Sequence, residues 1–506
     1  LTPNESDYMT DQNFADDNPP KLLTTNPFDD DKFHDECGVF GAFNTPEAST
    51  HTVLGLHALQ HRGQEAAGIV SHHDGQFYSH KSLGQVADNF NTQPVIASLP
   101  GSSAIGHVRY STSGGAGLRN VQPLFADLAG GGFAICHNGN LTNALTLKKH
   151  LVEKGAIFQS TSDSEVVIHL IATSTYPTLL DKFIDAMRRV EGAFAFVALS
   201  EDCLIGARDH LGVRPLVLGR LPNDAYIFAS ETCALDIIGA EYIRDVEPGE
   251  VVSVTNKGLT SVKPFPVSSP RPCIFEHVYF SRPDSLTNGT SIYKVRKNIG
   301  KELAKECTVK ADLVVPVPDS GVPAAIGYAQ EAGIPFELGI IRNHYVGRTF
   351  IEPSDTIRHL GVTLKHNANR GELDGKIVVL VDDSIVRGTT SVKIVDMVRQ
   401  AGAKEVHMYI ASPPTTDPCY YGVDTPNKDK LLAANKTIDE MAEHIGADSL
   451  KFISIDGLYR AVGEGGRNND VPQYCDACFS SEYPTPLTDN NASDDDKQFS
   501  LLTDSR

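Results

Sequence analysis

The chain has 506 residues, a formal net charge of −20, and 41% hydrophobic and 21% charged residues. That length exceeds what one hydrophobic core ordinarily supports, so two domains of roughly 200 residues each are expected. A field of that sign repels phosphate backbones and argues against nucleic-acid binding. No apolar run is long enough to cross a bilayer, so a cytoplasmic protein with no membrane segment is expected.

Residues 1–36 are polar and acidic, with Asn18-Pro19-Pro20 and Asp29-Asp30-Asp31, and lack the basic and apolar regions of a secretory signal. They read as a leader. From Cys37 onward, short apolar runs punctuated by glycine at 39–43, 104–108, 132–136, 193–199, 227–229 and 250–254 predict the strands of an α+β domain over 37–262. Pro248-Gly249 and the proline-rich stretch 264–272 mark a junction. Beyond it, the Val-rich runs 313–315 and 377–381 suit a buried parallel sheet. Residues 391–400 place Val392, Val395 and Val398 on one helical stripe that stops at Gly402 before a strand at 406–410, which completes a βαβ unit in an α/β domain over 263–485. The Asp-, Asn- and Ser-rich residues 486–506 predict a disordered acidic tail.

Nine cysteines in a chain of this kind point to thiolate chemistry or metal ligation rather than a disulfide framework. Cys37, in Asp35-Glu36-Cys37-Gly38-Val39-Phe40-Gly41, stands directly before a strand; alone, such a cysteine is most often a small buried hydrophobe. Three further segments supply what amide hydrolysis needs. Arg109, in Gly106-His107-Val108-Arg109-Tyr110-Ser111-Thr112, offers a fork for a carboxylate. Asn138 and Gly139, in His137-Asn138-Gly139-Asn140, offer oxyanion donors, and Asp163, among Ser160-Thr161-Ser162-Asp163, offers a carboxylate for an ammonium.

In this order the four segments resemble the class II, N-terminal-nucleophile glutamine amidotransferases over about residues 37–260. The resemblance implies an α+β N-terminal-nucleophile sandwich with Cys37 as nucleophile and Asn138 and Gly139 as the oxyanion site. It further implies glutamine binding by Arg109, Thr112 and Asp163, with Arg62 and Gly63 of His61-Arg62-Gly63-Gln64 lining the same pocket. Residues 1–36 then read as a propeptide whose removal frees an α-amino group, of pKa about 8, to act as base for the thiol. A tail of no consequence is the alternative.

The string Val381-Asp382-Asp383-Ser384-Ile385-Val386-Arg387-Gly388-Thr389-Thr390 runs from a buried strand through a polar loop into a helix, where backbone N–H groups and the helix dipole suit a phosphate. Two acids at the carboxyl edge of a sheet stand where α/β proteins bind ligands. The string resembles the signature of the type I phosphoribosyltransferases. That resemblance implies 5′-phosphate binding by Ser384, Arg387, Gly388, Thr389 and Thr390, and ribose or magnesium contacts by Asp382 and Asp383. It also implies diphosphate binding by Asp319 and Ser320 of Pro316-Val317-Pro318-Asp319-Ser320-Gly321, with Ser320 close to magnesium. Residues 342–350, which include Tyr345 and Arg348, have the cations, aromatic groups and glycine of a lid over the diphosphate.

Cys475-Asp476-Ala477-Cys478 reads equally as a redox pair, half a zinc site or an accident. Cys273 and Cys419 lie far upstream. The iron-sulfur subgroup of these amidotransferases carries cysteines in matching contexts at all four places, so the resemblance implies a structural 4Fe-4S cluster on Cys273, Cys419, Cys475 and Cys478. Zinc on the same thiolates is the alternative. Cys203, Cys233 and Cys307 are expected in the core, and Cys136, beside the oxyanion motif, is expected to confuse alkylation experiments.

Taken together, the resemblance covers about residues 33–485. It implies a magnesium-dependent enzyme that moves glutamine nitrogen onto phosphoribosyl pyrophosphate at the entry to purine synthesis, with purine nucleotides as feedback inhibitors and a homotetrameric assembly. A phosphoribosyl-binding regulator without catalysis is the alternative; it would need a basic DNA-reading module, and the sequence has none.

Overall fold

In the computed structural model, residues 37–110, 117–343 and 366–491 are described. Among the described residues the first domain contains thirteen strands: β1 (Gly38–Ala42), β2 (Ala66–His73), β3 (Gln76–Leu83), β4 (Ser103–Arg109), β5 (Leu124–Leu128), β6 (Gly131–Leu141), β7 (Gly192–Ser200), β8 (Cys203–Arg208), β9 (Val217–Arg220), β10 (Tyr226–Ala229), β11 (Glu241–Asp245), β12 (Val251–Thr255) and β13 (Gly258–Val262). They form a seven-stranded sheet, β11-β9-β10-β1-β4-β2-β3, and a six-stranded sheet, β13-β12-β8-β7-β6-β5. All six expected strand runs of this domain are present.

The sandwich follows from strands that are apolar on both faces. Along β1, Val39 enters the core between the sheets with Ile105, Cys136 and Val197. Its neighbours Phe40 and Ala42 point the other way, toward Leu56 and Leu59 at the helix Ala48–Ala58. Outside the second sheet, Val166 and Leu170 of the helix Glu165–Thr173 pack with Phe133 and Phe196. The order of layers is helix, sheet, sheet, helix. The sheets are also bridged by a polar contact, His107 Nε2 of β4 to the carbonyl oxygen of His137 in β6, at 3.1 Å.

In the second domain, Leu313–Pro316, Ile377–Asp382, Glu405–Ile410 and Ser449–Phe452 lie side by side as a four-stranded parallel sheet. The crossover helix Thr389–Gln400 buries Ile394, Val395 and Val398, while Val392, expected on the same stripe, is only partly covered. Because the first two strands are parallel neighbours, the loops leaving their carboxyl ends meet.

The domains share a core: Ala193, Leu211 and Val213 of the first pack in one cluster with Cys273, Phe275, Tyr421 and Cys475 of the second. The tail expected to be disordered from 486 is corrected over its described part. Thr488–Asn491 forms a 3-10 turn, and Asp489 accepts hydrogen bonds from the N–H groups of Leu145 (2.7 Å) and Thr146 (3.1 Å) at the start of the helix Ala144–Glu153. A carboxylate there satisfies unpaired helix N–H groups and the helix dipole, which composition alone does not reveal.

The helices Ile292–Glu306 and Val322–Ala332 cross at two glycines: a Cβ on Gly327 would lie 1.9 Å from the carbonyl oxygen of Lys297. Gly327→Ala should therefore lower stability by about 1–3 kcal/mol through backbone displacement, visible as a lower urea midpoint than the parent.

Candidate active site

Cys37 is buried at the entrance of β1, whose neighbours β4 and β10 pair with it on both sides. Its Sγ donates to the carbonyl oxygen of Tyr110 at 3.6 Å, a long contact. Burial pushes the thiol up to about 11, and the nearby Asp163 and Glu65 charges push the same way, against the opposing pull of the Tyr110 contact and Arg109. The charges of Arg109 and Asp163 thus both reach this sulfur. Sequence-distant segments converge on one point.

Asn138 lies fully buried in β6, and among the described residues neither Nδ2 nor Oδ1 has a hydrogen-bond partner. Leaving such an amide unpaired costs about 1–3 kcal/mol, a deficit that a bound polar group can remove. Gly139 has φ of 140°, and an added Cβ would meet the Ala193 carbonyl oxygen at 2.1 Å, so only glycine fits. The second domain closes against the same residue: a Cβ on Gly422 would lie 2.9 Å from Gly139, and Asn140 Nδ2 donates to the Tyr420 carbonyl at 3.0 Å.

Asp163 accepts from the Leu141 N–H at 2.9 Å and from Ser164 Oγ at 3.1 Å. Burial raises its pKa, but His137 and these hydrogen bonds outweigh burial and hold it below the usual carboxylate range. Burial lowers Arg109 from its ordinary value.

One expectation is corrected. Arg62 does not present its head group to a pocket: it is 1% exposed and enclosed by carboxylates, donating to Glu231 at 2.6 Å and to Glu276 at 2.7 and 3.1 Å, while its Nε donates to the Cys37 carbonyl at 3.3 Å. It stands behind Cys37. Gly63 abuts the backbone of Arg109, where a Cβ would come within 2.7 Å. Thr112 lies outside the described residues.

At the carboxyl edge of the parallel sheet, Asp382, Asp383 and Ser384 are buried. Ser320 Oγ donates to Asp383 Oδ1 at 2.5 Å and Ser384 Oγ to Asp383 Oδ2 at 2.9 Å, so the two loops are joined. Asp319 is exposed and pairs with Arg342. Gly388, with φ of 84°, starts the helix Thr389–Gln400, on which Thr390 is buried and Thr389 exposed; Arg387 is exposed in the preceding loop. Tyr345 and Arg348 lie outside the described residues.

Cys273, Cys419, Cys475 and Cys478 are all free thiols and line one cavity, walled also by Arg214, Phe275 and Tyr421. Among the described residues no three His, Cys, Asp or Glu side chains close on a point as a single ion requires. Burial, with repulsion among the sulfurs, raises Cys475 and Cys478 well above the usual thiol range and Cys273 to about 11, with Arg214 opposing at Cys273.

Two further cysteine expectations change. Cys136 is wholly enclosed between the sheets and its thiol is raised by burial, so it is shielded from reagents. Only Cys233 of the three assigned to the core is fully buried; Cys203 opens β8 beside a turn and Cys307 ends the helix Ile292–Glu306, so both remain partly exposed. Glu231, Glu276, His137 and Arg214 were missed as site-supporting residues. His137 lies within a motif already recognised, but only its partners reveal what it does.

The sandwich with its buried thiol and the parallel sheet with its paired acids define a glutamine amidotransferase joined to a phosphoribosyltransferase. Residues 108–236 match the family model for a glutamine amidotransferase domain, and residues 284–430 that for a phosphoribosyl transferase domain. The chain is 57% identical over 485 residues to the amidophosphoribosyltransferase of Rhizobium etli, covering 95% of this chain and 98% of that protein. It is 48% identical over 456 residues to that of Bacillus subtilis, covering 90% and 95%. The solved structure of glutamine phosphoribosylpyrophosphate amidotransferase from B. subtilis, complexed with ADP and GMP, superposes with a TM-score of 0.84 at 47% identity, covering 89% of this chain and 98% of that one. The chain belongs to the amidophosphoribosyltransferase family.

With residues 1–36 still attached, Cys37 has no free amine beside it. Alkylation of Cys37 in that form should rise tenfold per pH unit and level off only near pH 11, as read by mass spectrometry of the Cys37 peptide.

Proposed function

We propose that the chain hydrolyses glutamine at Cys37 and passes the ammonia to phosphoribosyl pyrophosphate, forming 5-phosphoribosylamine, glutamate and diphosphate, the first step of purine synthesis. The observation that carries this reading is the contact of Gly139 with Gly422, which sets the oxyanion strand of one domain against a loop of the other.

Cleavage before Cys37 frees an amine of pKa about 8, whose neutral form takes the proton that a thiol raised by burial does not release unaided. Sγ attacks the amide carbon while the Asn138 side-chain N–H and the Gly139 N–H donate to the oxyanion. The orphaned Asn138 amide supports that role. The amine then protonates departing ammonia, and water cleaves the thioester to release glutamate. Arg109 holds the substrate carboxylate and Asp163 its ammonium; Thr112 completes this set by resemblance.

In the second domain the helix start at Gly388–Thr390, with Ser384 and Arg387, receives the 5′-phosphate. Asp319 and Ser320 face the diphosphate, and Tyr345 and Arg348 join them from the lid by resemblance. Two buried carboxylates beside Ser320 fit magnesium, which takes one or two carboxylates and completes its shell with substrate oxygens and water. Bound there by Asp382, Asp383 and Ser320, it would offset charge developing on the departing diphosphate. Ammonia attacks C1 of the ribose as that bond breaks.

Four thiols lining one cavity, with Cys273 and Cys475 buried and Cys419 and Cys478 partly so, suit the 4Fe-4S cluster that the family resemblance implies, with zinc as the alternative. Ligands from 273, 419 and 475–478 give it a structural role. The ADP- and GMP-complexed B. subtilis relative supports purine nucleotides as feedback ligands here, and the family resemblance supports a homotetramer.

The test is an anaerobic assay with glutamine, phosphoribosyl pyrophosphate and magnesium, following glutamate and diphosphate together. Equal release is expected, abolished by Cys37→Ala while added ammonia still releases diphosphate. Glutamate release alone would overturn the assignment of the second domain. Asn138→Ala should lower glutamine-dependent kcat by about 100- to 1000-fold and spare the ammonia-dependent reaction, measured as separate initial rates.

A further inference from the structure

Arg62 lies in the first domain, yet three of its contacts lead to the second. Its two terminal nitrogens meet the Glu276 carboxylate at 2.7 and 3.1 Å, and Glu276 belongs to the turn Glu276–Phe280 that opens the second domain. Glu231, the other carboxylate on Arg62, is itself held by that domain, accepting from Ser285 Oγ at 2.7 Å and from the Arg282 N–H at 2.9 Å. The Nε of the same guanidinium donates to the Cys37 carbonyl. A planar fork gripped on two edges cannot rotate, so the direction of its Nε–H is set by where Glu276 stands.

Glu276 is in turn fixed by Ser281 Oγ at 2.6 Å and by the Arg214 guanidinium at 3.6 Å. Arg214 donates to the Tyr421 carbonyl at 2.7 Å, next to Gly422. Arg62 meets Cys37 at its main-chain carbonyl, and the other groups bear on that contact through Glu276. Rotation about the Cys37 Cα sets Sγ and the α-amine together, so a shift of its carbonyl moves nucleophile and base at once.

We infer that Glu276, a second-domain carboxylate, is a positioning residue for glutamine hydrolysis: through Arg62 it sets the orientation of the Cys37 main chain and makes the glutaminase competent only when the second domain is docked. The inference rests on Cys37 being the nucleophile. It also gives the two domains a direct line of dependence, separate from any passage for ammonia.

The test compares Glu276→Asp with the parent and with Cys37→Ala, all as full-length holoenzyme with the leader removed. Asp keeps the buried charge balance but retracts the carboxylate by one methylene. Glutamine-dependent kcat should fall on the order of 100-fold with KM for glutamine within about threefold, since a displacement near 1 Å at a reacting group costs about that much. Labelling of Cys37 by an electrophilic glutamine analogue should slow to the same degree, while ammonia-dependent diphosphate release and the thermal midpoint stay at parent values. An unchanged kcat in Glu276→Asp would overturn the inference, as would parallel loss of ammonia-dependent activity and thermal midpoint, which marks a merely structural residue. Should Cys37→Ala retain glutamine hydrolysis, the nucleophile assignment fails instead, and the two failures are told apart.

Discussion

Two guanidinium groups, Arg62 and Arg214, are buried at the junction of the domains beside Cys37, and the packing there depends on their being neutralised. An unpaired buried charge costs several kcal/mol, and breaking such a pair typically costs about 3–5 kcal/mol. Glu231 and Glu276 provide the balance; coulombic attraction and hydrogen bonds to Arg62 outweigh burial and keep Glu276 ionised, and His61 with Arg62 does the same for Glu231. Because the partners come from both domains, the docked arrangement is the one in which these charges are paired. Charge burial here makes the junction specific.

Around that junction the two reaction centres are built by opposite means. The thiol centre uses fully covered strands and a glycine whose φ admits no side chain, and the neighbouring Asn138 amide has no hydrogen-bond partner among the described residues. The phosphoribosyl centre uses the open carboxyl edge of a parallel sheet, where neighbouring loops meet at Ser320 and Asp383. The first gains from excluding water before catalysis. The second holds two buried carboxylates in adjacent positions, whose charges favour a cation beside them.

Much of this was legible from local pattern. Strand runs around Val39, Ile105 and Val197 are mostly apolar, as strands covered on both faces tend to be. The motifs at Cys37, Asn138 and Asp382 are legible because each occupies a few consecutive residues. Arg62 was misassigned for the complementary reason: a basic residue beside a glycine looks the same whether it meets a substrate carboxylate or Glu276, 214 positions away. Asp489, which looked like part of a solvated acidic tail, proved to cap a helix 344 positions earlier in the chain.

The amino-acid sequence by itself determined the two domain types, the order of the chemistry along the chain and the residue types at each centre, because periodicity, turns and phosphate loops depend on neighbours in the chain. Only the tertiary structure decided which charges pair, which cysteines share a cavity and which thiol is sealed from solvent. Those outcomes depend on desolvation and on distances between remote segments, and neither quantity exists until the two cores have closed on each other.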